Sequence, residues 1–274
     1  MTSFTRQRWV GTLLFLAASV VAVWTHLHFR GAVSHWYFVT GWVLLAVMLV
    51  VALYNARKKL PFLPMISSEG WLQFHIYAGF FTGTLFLVHV DFRWPNGWFE
   101  SSLAWIYFLV MASGVFGLVI SRVFPQRLSI RGGEVFFEQI PTLRHHAASE
   151  AETLALASIP ESSATTIADF YERRLRAFFA APRHFWLHLM DSRRPLNTVL
   201  DDINDLRRYL NEKERGALTR LEQLVRQKDG LDYHHALQSM LKLWLFVHLP
   251  LTYSLLLFTA AHVVIVYAFS GGAK

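Results

Sequence analysis

The sequence contains no cysteine. This absence excludes disulfide bonds, cysteine-ligated iron–sulfur clusters, cysteine-type zinc sites and covalently attached c-type haem. Any redox centre held by this chain must therefore use other ligands. Charged residues are also scarce, at 16% of 274 residues, against about 25% in a typical soluble domain. Hydrophobic residues make up 54%, so the composition excludes both a disordered chain and an ordinary soluble protein.

Motifs for nucleotides are absent as well. Neither GxGxxG nor GxxxxGK[ST] occurs, so no nucleotide or flavin site is predicted. Acidic residues are few outside 124–240: that segment holds 16 Lys/Arg and 16 Asp/Glu, whereas the rest of the chain holds 10 and 3. The surplus of positive charge thus lies in the hydrophobic part, and the segment 124–240 lacks the concentrated positive surface that phosphate binding needs. Nucleic acid is not an expected partner.

Five hydrophobic stretches are long enough to cross about 30 Å of hydrocarbon, which takes roughly 20 helical residues. They cover approximately 9–28, 36–55, 70–91, 101–123 and 241–269. Lys and Arg favour cytoplasmic loops, and most of them outside 124–240 fall on the side of the N-terminus. We therefore expect a multi-pass protein of the cell inner (cytoplasmic) membrane, surrounded by lipid, with its N-terminus inside and its C-terminus outside.

The sequence predicts four parts. Residues 1–35 form an N-terminal membrane anchor, 36–123 carry the next three spans, 124–240 form a mainly helical cytoplasmic insert, and 241–274 carry the last span and a short outer tail. Within the insert, a β-prone run at 134–140 and an Ala/Ser/Glu-rich loop come first. A helix follows from Thr166 to a stop at Pro182, and then a helical hairpin over 196–228 with a break near Asn211. Asp229 and Gly230 are expected to separate it from the last helix.

Four of the thirteen histidines fall at membrane depth. His75 and His89 lie on the third span, and His248 and His262 on the fifth. Ionisable residues within membrane spans are costly and indicate function. Both pairs are fourteen residues apart, which places the two rings of each helix on nearly the same face and about 21 Å apart in depth. Because the two spans run parallel, equal depth pairs His75 with His248 and His89 with His262.

Two histidines at each depth fit a haem iron, which has four macrocycle nitrogens and needs two axial ligands. A structural zinc ion takes four protein ligands and a catalytic one usually three. The sequence therefore predicts two non-covalent haem b groups with bis-histidine ligation by His75, His248, His89 and His262, suited to electron transfer. A proton relay would ordinarily use Asp or Glu in the spans, and the span interiors have none.

Other residues give weaker signals. Gly79 and Gly83 on the third span, with Gly114 and Gly117 on the fourth, could admit a flat macrocycle or serve ordinary close helix packing. His26, His28 and His35 cluster at the outer ends of the first two spans, where they could bind a metal or a haem edge, but we favour solvation at the interface. We interpret His145, His146, His234 and His235 as solvated or at the inner interface. The pair His184 and His188 lacks a third ligand nearby. Cationic candidates for haem propionates are Arg57, Lys59, Arg122 and Lys242 inside and Arg93 outside.

The spacing His75-x13-His89 and His248-x13-His262 on alternate helices resembles the dihaem b-type membrane cytochromes. These include the cytochrome b subunit of quinol:cytochrome c oxidoreductases, the b561-like proteins and, more distantly, the membrane domain of ferric reductases and NADPH oxidases. The resemblance covers about 36–123 and 241–269. It implies an all-α membrane protein with a four-helix bundle, formed by spans two to five, that holds both haems. The chain lacks the Pro-Glu-Trp-Tyr quinol motif and an attached flavin domain.

The expected function is therefore that of an electron-transfer subunit within an oxidoreductase complex. Partners would be a cytoplasmic flavin or iron–sulfur protein and an outer-side cytochrome or iron–sulfur protein, and a quinone could exchange electrons and protons at one haem edge. Three alternatives stay open: a quinone-independent conduit like that of ferric reductases, a histidine-containing transporter, and a membrane scaffold without haem. The insert 124–240 is interpreted as a docking platform for redox partners or as a cap on the bundle.

Overall fold

The computed structural model describes residues 3–56, 68–131, 135–161 and 166–270. These residues form helices and contain no strand. The α-helices are α1 (Ser3–Phe29), α2 (Trp36–Ala56), α3 (Ser68–His89), α4 (Trp98–Ile130), α5 (Ile140–Glu161), α6 (Thr166–Phe170), α7 (Arg176–Ala180), α8 (Phe185–Leu189), α9 (Arg194–Arg207) and α10 (Glu212–Ser270). A 3₁₀ turn covers Phe137–Gln139, and a π-helical turn, Tyr171–Leu175, joins α6 to α7.

Five of these helices are long and apolar enough to cross a membrane. The qualifying segments are Arg8–Phe29, Trp36–Tyr54, Glu69–His89, Trp98–Ile130 and Glu214–Phe269. Each contains one of the five stretches expected from the sequence, apart from a residue or two at the edges, so the prediction of an all-helical protein with five such helices is confirmed. The chain divides into two compact units, unit 1 with residues 1–116 and 246–274 and unit 2 with residues 117–245.

In unit 1, α3 packs against both α1 and α2. Three polar contacts join α1 to α3 and to the turn that follows it: Thr12 to Tyr77 at 3.1 Å, Ser19 to Thr84 at 3.1 Å, and His26 to Asp91 at 3.0 Å. Each joins residues 65 positions apart, and successive contacts are seven residues apart. The two helices therefore run parallel, with the 3.5-residue period of a left-handed helix pair.

The apolar core of unit 1 is shared by α2, α3, α4 and the last part of α10. Its buried members are Leu44, Met48, Leu85, Phe86, Ala104, Tyr107 and Leu255. Thr82 of α3 hydrogen-bonds the Tyr107 hydroxyl of α4 at 3.0 Å, which satisfies both groups in a place where water cannot. These contacts set the faces of α3 and α10 that carry the histidines.

Unit 2 has a helical core in which the predicted hairpin is found. Its helices are α9 and the start of α10, and the break at Asn211 is a capping box: Asn211 Oδ1 accepts from Glu214 N at 3.0 Å, and Asn211 N donates to Glu214 Oε2 at 2.9 Å. The predicted helix after Thr166 also forms and ends at Ala180, and Ala181 is extended. Leu200, Ile203, Leu218 and Leu221 meet in the core.

Three expectations for the insert are wrong in the described residues. The β-prone run forms no strand: Phe136 is extended, a 3₁₀ turn follows, and α5 begins at Ile140. The Ala-rich segment is the helix α5 rather than a loop, because its small side chains at Ala147, Ala151 and Ala155 allow it to pack closely against the core and alanine favours helix. Asp229 and Gly230 do not interrupt α10.

Candidate functional site

The two histidines of α3 have their Nδ1 atoms fixed by hydrogen bonds to α2. His75 Nδ1 lies 3.1 Å from the carbonyl oxygen of Val51, so Nδ1 must carry the proton and donate it. His89 Nδ1 lies 3.2 Å from the Thr40 hydroxyl, and that hydroxyl donates its one proton to the carbonyl of Tyr37 at 3.1 Å. Both rings therefore keep an unprotonated Nε2, the atom that can bind a metal ion.

His89 and His262 form the first pair. Their ring centres are 6.4 Å apart and the ring planes lie at 88°. Two metal–nitrogen bonds of about 2 Å, with about 1 Å from each ring nitrogen to its ring centre, add to about 6 Å. The observed separation therefore suits one metal ion held between the two rings.

His75 and His248 form the second pair. They lie close enough for a charge on one ring to affect the other, and the centre of the Tyr54 ring is 4.8 Å from the centre of the His75 ring. His248 Nδ1 is 3.2 Å from the Ser113 hydroxyl of α4. Each helix thus carries two imidazoles fourteen residues apart, a rise of about 21 Å along an ideal helix, and each lies near a histidine of the other helix.

A cavity of about 350 Å³ adjoins the first pair, within the usual size range of ligand pockets. Its walls are mainly apolar and include Leu44, Met48 and Phe86, whereas Arg93, Asn96 and Glu100 form a polar part. The Glu100 carboxylate is close enough to His262 to interact with it electrostatically. The cavity therefore combines an apolar chamber beside two imidazoles with charged groups of both signs.

Each histidine pair supplies two ligands and no more. In the part of the chain that the structure describes, no group of three or more His, Cys, Asp or Glu side chains could hold a metal ion. A metal bound between His89 and His262, or between His75 and His248, must therefore bring most of its coordination sphere with it. A macrocycle-bound iron meets that requirement, and a bare zinc ion does not.

No protein family, curated protein or solved structure matches the chain. The geometry of the two pairs is thus the basis for any functional argument.

The predicted glycines have different surroundings. A Cβ at Gly79 would meet nothing within 4 Å, and one at Gly114 would lie 3.8 Å from His248 Cε1. Gly83 faces Met111 at 3.6 Å, while Gly117 packs so tightly against Trp244 that a Cβ would lie 1.9 Å from its ring. Gly117 therefore serves close helix packing, whereas Gly79 borders open space on the face of α3 that carries His75.

Gly41 is a site residue that the sequence reasoning missed. A Cβ there would lie 2.9 Å from His89 Cε1, so the absence of a side chain lets the imidazole lie against α2. Gly41 directly follows Thr40, the partner of His89 Nδ1. The pair of residues Thr40 and Gly41 thus positions the ring, and the only signal in the sequence was a glycine in an otherwise bulky apolar run.

His26 is not solvated as expected. It is 3% exposed, its Nδ1 accepts from the Trp36 indole at 3.2 Å, and its Nε2 donates to Asp91 at 3.0 Å. That hydrogen bond, together with the one from Arg30, holds the pKa of Asp91 below its usual value. His26 therefore ties α1 to the end of α3 rather than binding a ligand.

The remaining candidates are placed as follows. His28, His35, His145 and His146 are exposed, in agreement with the prediction, whereas His234 is buried in unit 2. Arg93 lines the cavity, and Lys242 pairs with Glu138 at 3.0 Å. Arg57 and Lys59 lie outside the described residues.

Proposed function

We propose that this chain is a dihaem b-type cytochrome subunit that moves electrons across the cytoplasmic membrane between redox partners. The observation that carries the proposal is the pairing of His89 with His262 at 6.4 Å. The second pair, at the same spacing along both helices, supports it. The all-helical fold with five helices able to span a membrane is the setting that such a function requires.

Four residues would hold the two haems, His75 with His248 and His89 with His262. A bound haem with both axial positions filled supplies one-electron chemistry at the iron without an open site for oxygen. Val51 and Thr40 keep the Nδ1 atoms of the α3 histidines protonated, so the Nε2 lone pairs stay available for ligation. Apolar walls at Leu44, Met48 and Phe86 adjoin the first pair and would limit its contact with water.

The space beside the histidines also supports a macrocycle. Gly79 faces no side chain within 4 Å, and Gly114 lies against His248, so neither position crowds the second pair. At the first pair, Arg93 and Asn96 supply a cation and an amide at the polar part of the cavity. Groups of this kind form hydrogen bonds with carboxylates such as the haem propionates.

The proposal also includes the orientation of the chain in the membrane. The distribution of Lys and Arg supports a cytoplasmic N-terminus and unit 2, with the end of α10 outside. His75 and His248 would then be on the cytoplasmic side and His89 with His262 on the outer side. Donor and acceptor would be partner redox proteins, one on each side, or a quinone, since this chain holds no flavin motif and no cysteine.

Haem content and single substitutions test the function. The purified full chain should give a reduced-minus-oxidised spectrum of b-type haem, with two haems per chain by pyridine haemochrome. His75→Ala and His248→Ala should remove one spectral component, and His89→Ala and His262→Ala the other. His28→Ala, at an exposed position on α1, is the matched control and should retain both.

The alternatives give different results. A transporter or scaffold would show no Soret band while remaining folded, and that result would refute the proposal. Loss of the same component in His75→Ala and His89→Ala would refute the pairing. A reporter fused after Lys274 should be active only outside the cytoplasm and one inserted near Ser163 only inside, and the opposite pattern would reverse the orientation.

A further inference from the structure

The short helix α8 packs on two long helices of unit 2. Its Phe185 and Leu189 join an apolar cluster with Ile120 and Phe124 of α4 and with Leu241 and Trp244 of α10. His188, on the same side of α8, is buried. One face of α8 is thus fixed against these two helices.

The same stretches of α4 and α10 contain the ends of their long uncharged runs. In α4, 21 residues from Ser101 to Ser121 carry no Asp, Glu, Lys or Arg, enough for about 31 Å of helix, and Arg122 ends the run. In α10 the uncharged run begins directly after Lys242. The cluster that holds Phe185 and Leu189 includes residues from Ile120 to Leu128 of α4 and from Tyr233 to Trp244 of α10, on both sides of Arg122 and Lys242. Helix α8 therefore packs on the stretch of these two helices in which they leave the hydrocarbon.

The opposite face of α8 is apolar and open. Trp186 and Met190, one helical turn apart, are each 67% exposed. Arg183, Arg193 and Arg194 flank them and are exposed as well. An aromatic ring with arginines beside it, at the level of the headgroups, is typical of segments that lie in a membrane interface.

The orientation of this face is fixed by the backbone and by polar contacts. His184 and Asp191, at the two ends of α8, have φ of 60° and 58°, a left-handed conformation that turns the chain sharply. Arg127 donates to the carbonyl of Leu189 at 2.9 Å, and Arg131 pairs with Asp191 at 2.6 Å. Trp186 and Met190 are therefore held outward by the fold.

We propose that the segment 183–194, here called the α8 anchor, lies in the interface of the bilayer that α4 and α10 cross. Trp186 and Met190 enter the boundary between headgroups and acyl chains, and Arg183, Arg193 and Arg194 bind the phosphates of anionic lipids. The anchor fastens unit 2 to the membrane surface on that side. It does not depend on whether the histidine pairs hold haem.

The absence of cysteine makes the test direct, because each introduced thiol is unique. Trp186→Cys and Met190→Cys, spin-labelled in the full chain in lipid nanodiscs, should be more accessible to oxygen than to a water-soluble nickel complex. Tyr209→Cys, in the exposed connection between α9 and α10 where the side chain is 82% exposed, is the control and should show the reverse. The two accessibility ratios should differ several-fold.

Two results at the first pair of labels would overturn the proposal. Equal access of the nickel complex at 186 and 209 would place α8 in water. Protection from both reagents would assign the face to a protein contact, such as a second copy of the chain.

A second measurement tests the arginines. In nanodiscs with anionic phosphatidylglycerol, the label at 186 should show a higher oxygen-to-nickel ratio than in neutral phosphatidylcholine. The triple variant Arg183→Gln, Arg193→Gln, Arg194→Gln should remove this difference while leaving the label on the lipid side. An unchanged dependence on lipid charge in the triple variant would contradict the role of the arginines.

Discussion

Gly41→Ala is expected to weaken one of the two proposed haem sites and to spare the other. The added Cβ would lie 2.9 Å from His89 Cε1, where ordinary contacts begin at 3.4 Å, so the ring must retreat from α2 by about 0.5 Å. That movement would lengthen the 3.2 Å hydrogen bond between His89 and Thr40 beyond the usual range. The histidine would lose both its position and its hydrogen bond.

The expected size of the effect follows from the cost of overpacking. Adding a methyl group to a well-packed site costs about 1–3 kcal/mol, which corresponds to a change of about 5- to 150-fold in binding. We therefore expect the haem proposed for His89 and His262 to bind that much more weakly, and the one proposed for His75 and His248 to bind as before. Haem titration followed by difference spectra measures both sites in one sample.

The control is Gly216→Ala at the start of α10, where a Cβ meets nothing within 4 Å. This variant should keep both spectral components. If Gly41→Ala also kept both, with unchanged haem affinity, the argument that Gly41 positions His89 would be refuted. If it lost the component that His75→Ala removes, the pairing of the histidines would be wrong.

Three further predictions concern other groups. Thr40→Val should lower haem affinity at the proposed His89 site by about 10- to 100-fold in the same titration, and Thr40→Ser should retain that affinity. Lys228 is buried with Asp232 at 2.5 Å. Lys228→Met should lower the free energy of unfolding by about 3 kcal/mol, the low end of the range for a broken buried pair, because Arg144 still faces Asp232. A loss below about 1 kcal/mol in denaturant titration would contradict this prediction. Burial lowers the pKa of His188 in the folded chain. Below pH about 6.5 the unfolded chain therefore binds a proton at this residue more readily than the folded chain does, and the stability of the fold decreases. His188→Gln should lose less thermal stability between pH 7 and pH 5 than the unchanged chain does.

The membrane helices could be predicted from sequence because lipid permits few solutions. Long uncharged runs must be helical where no water can satisfy the backbone. The fourteen-residue spacing on α3 and α10 then determined which histidines share a depth. The helical spans and the positions of the histidines along them both follow from the geometry of a single helix, which can be read from residue spacing in the sequence.

Other features depended on contacts between helices. The role of Gly41 follows from its approach to His89, and the burial of His26 from Trp36 and Asp91. In unit 2, the composition of α5 suggested a loop, although alanine both favours helix and packs closely. Asp229 and Gly230 suggested a break in the helix. The helix α10 continues through them, and residues on either side of them, such as Val225 and Tyr233, are buried in the core.

The three hydrogen bonds from α1, two to α3 and one to Asp91 just after it, limit how α3 can move. A slide of one residue would shift α3 by about 1.5 Å and turn it by about 100°, which would break all three contacts at once. Tyr77 lies two residues after His75, and Asp91 two residues after His89. Helix α1 therefore fixes the axial position of α3 and of both its imidazoles. Without α1, His75 and His89 could shift together along the helix axis.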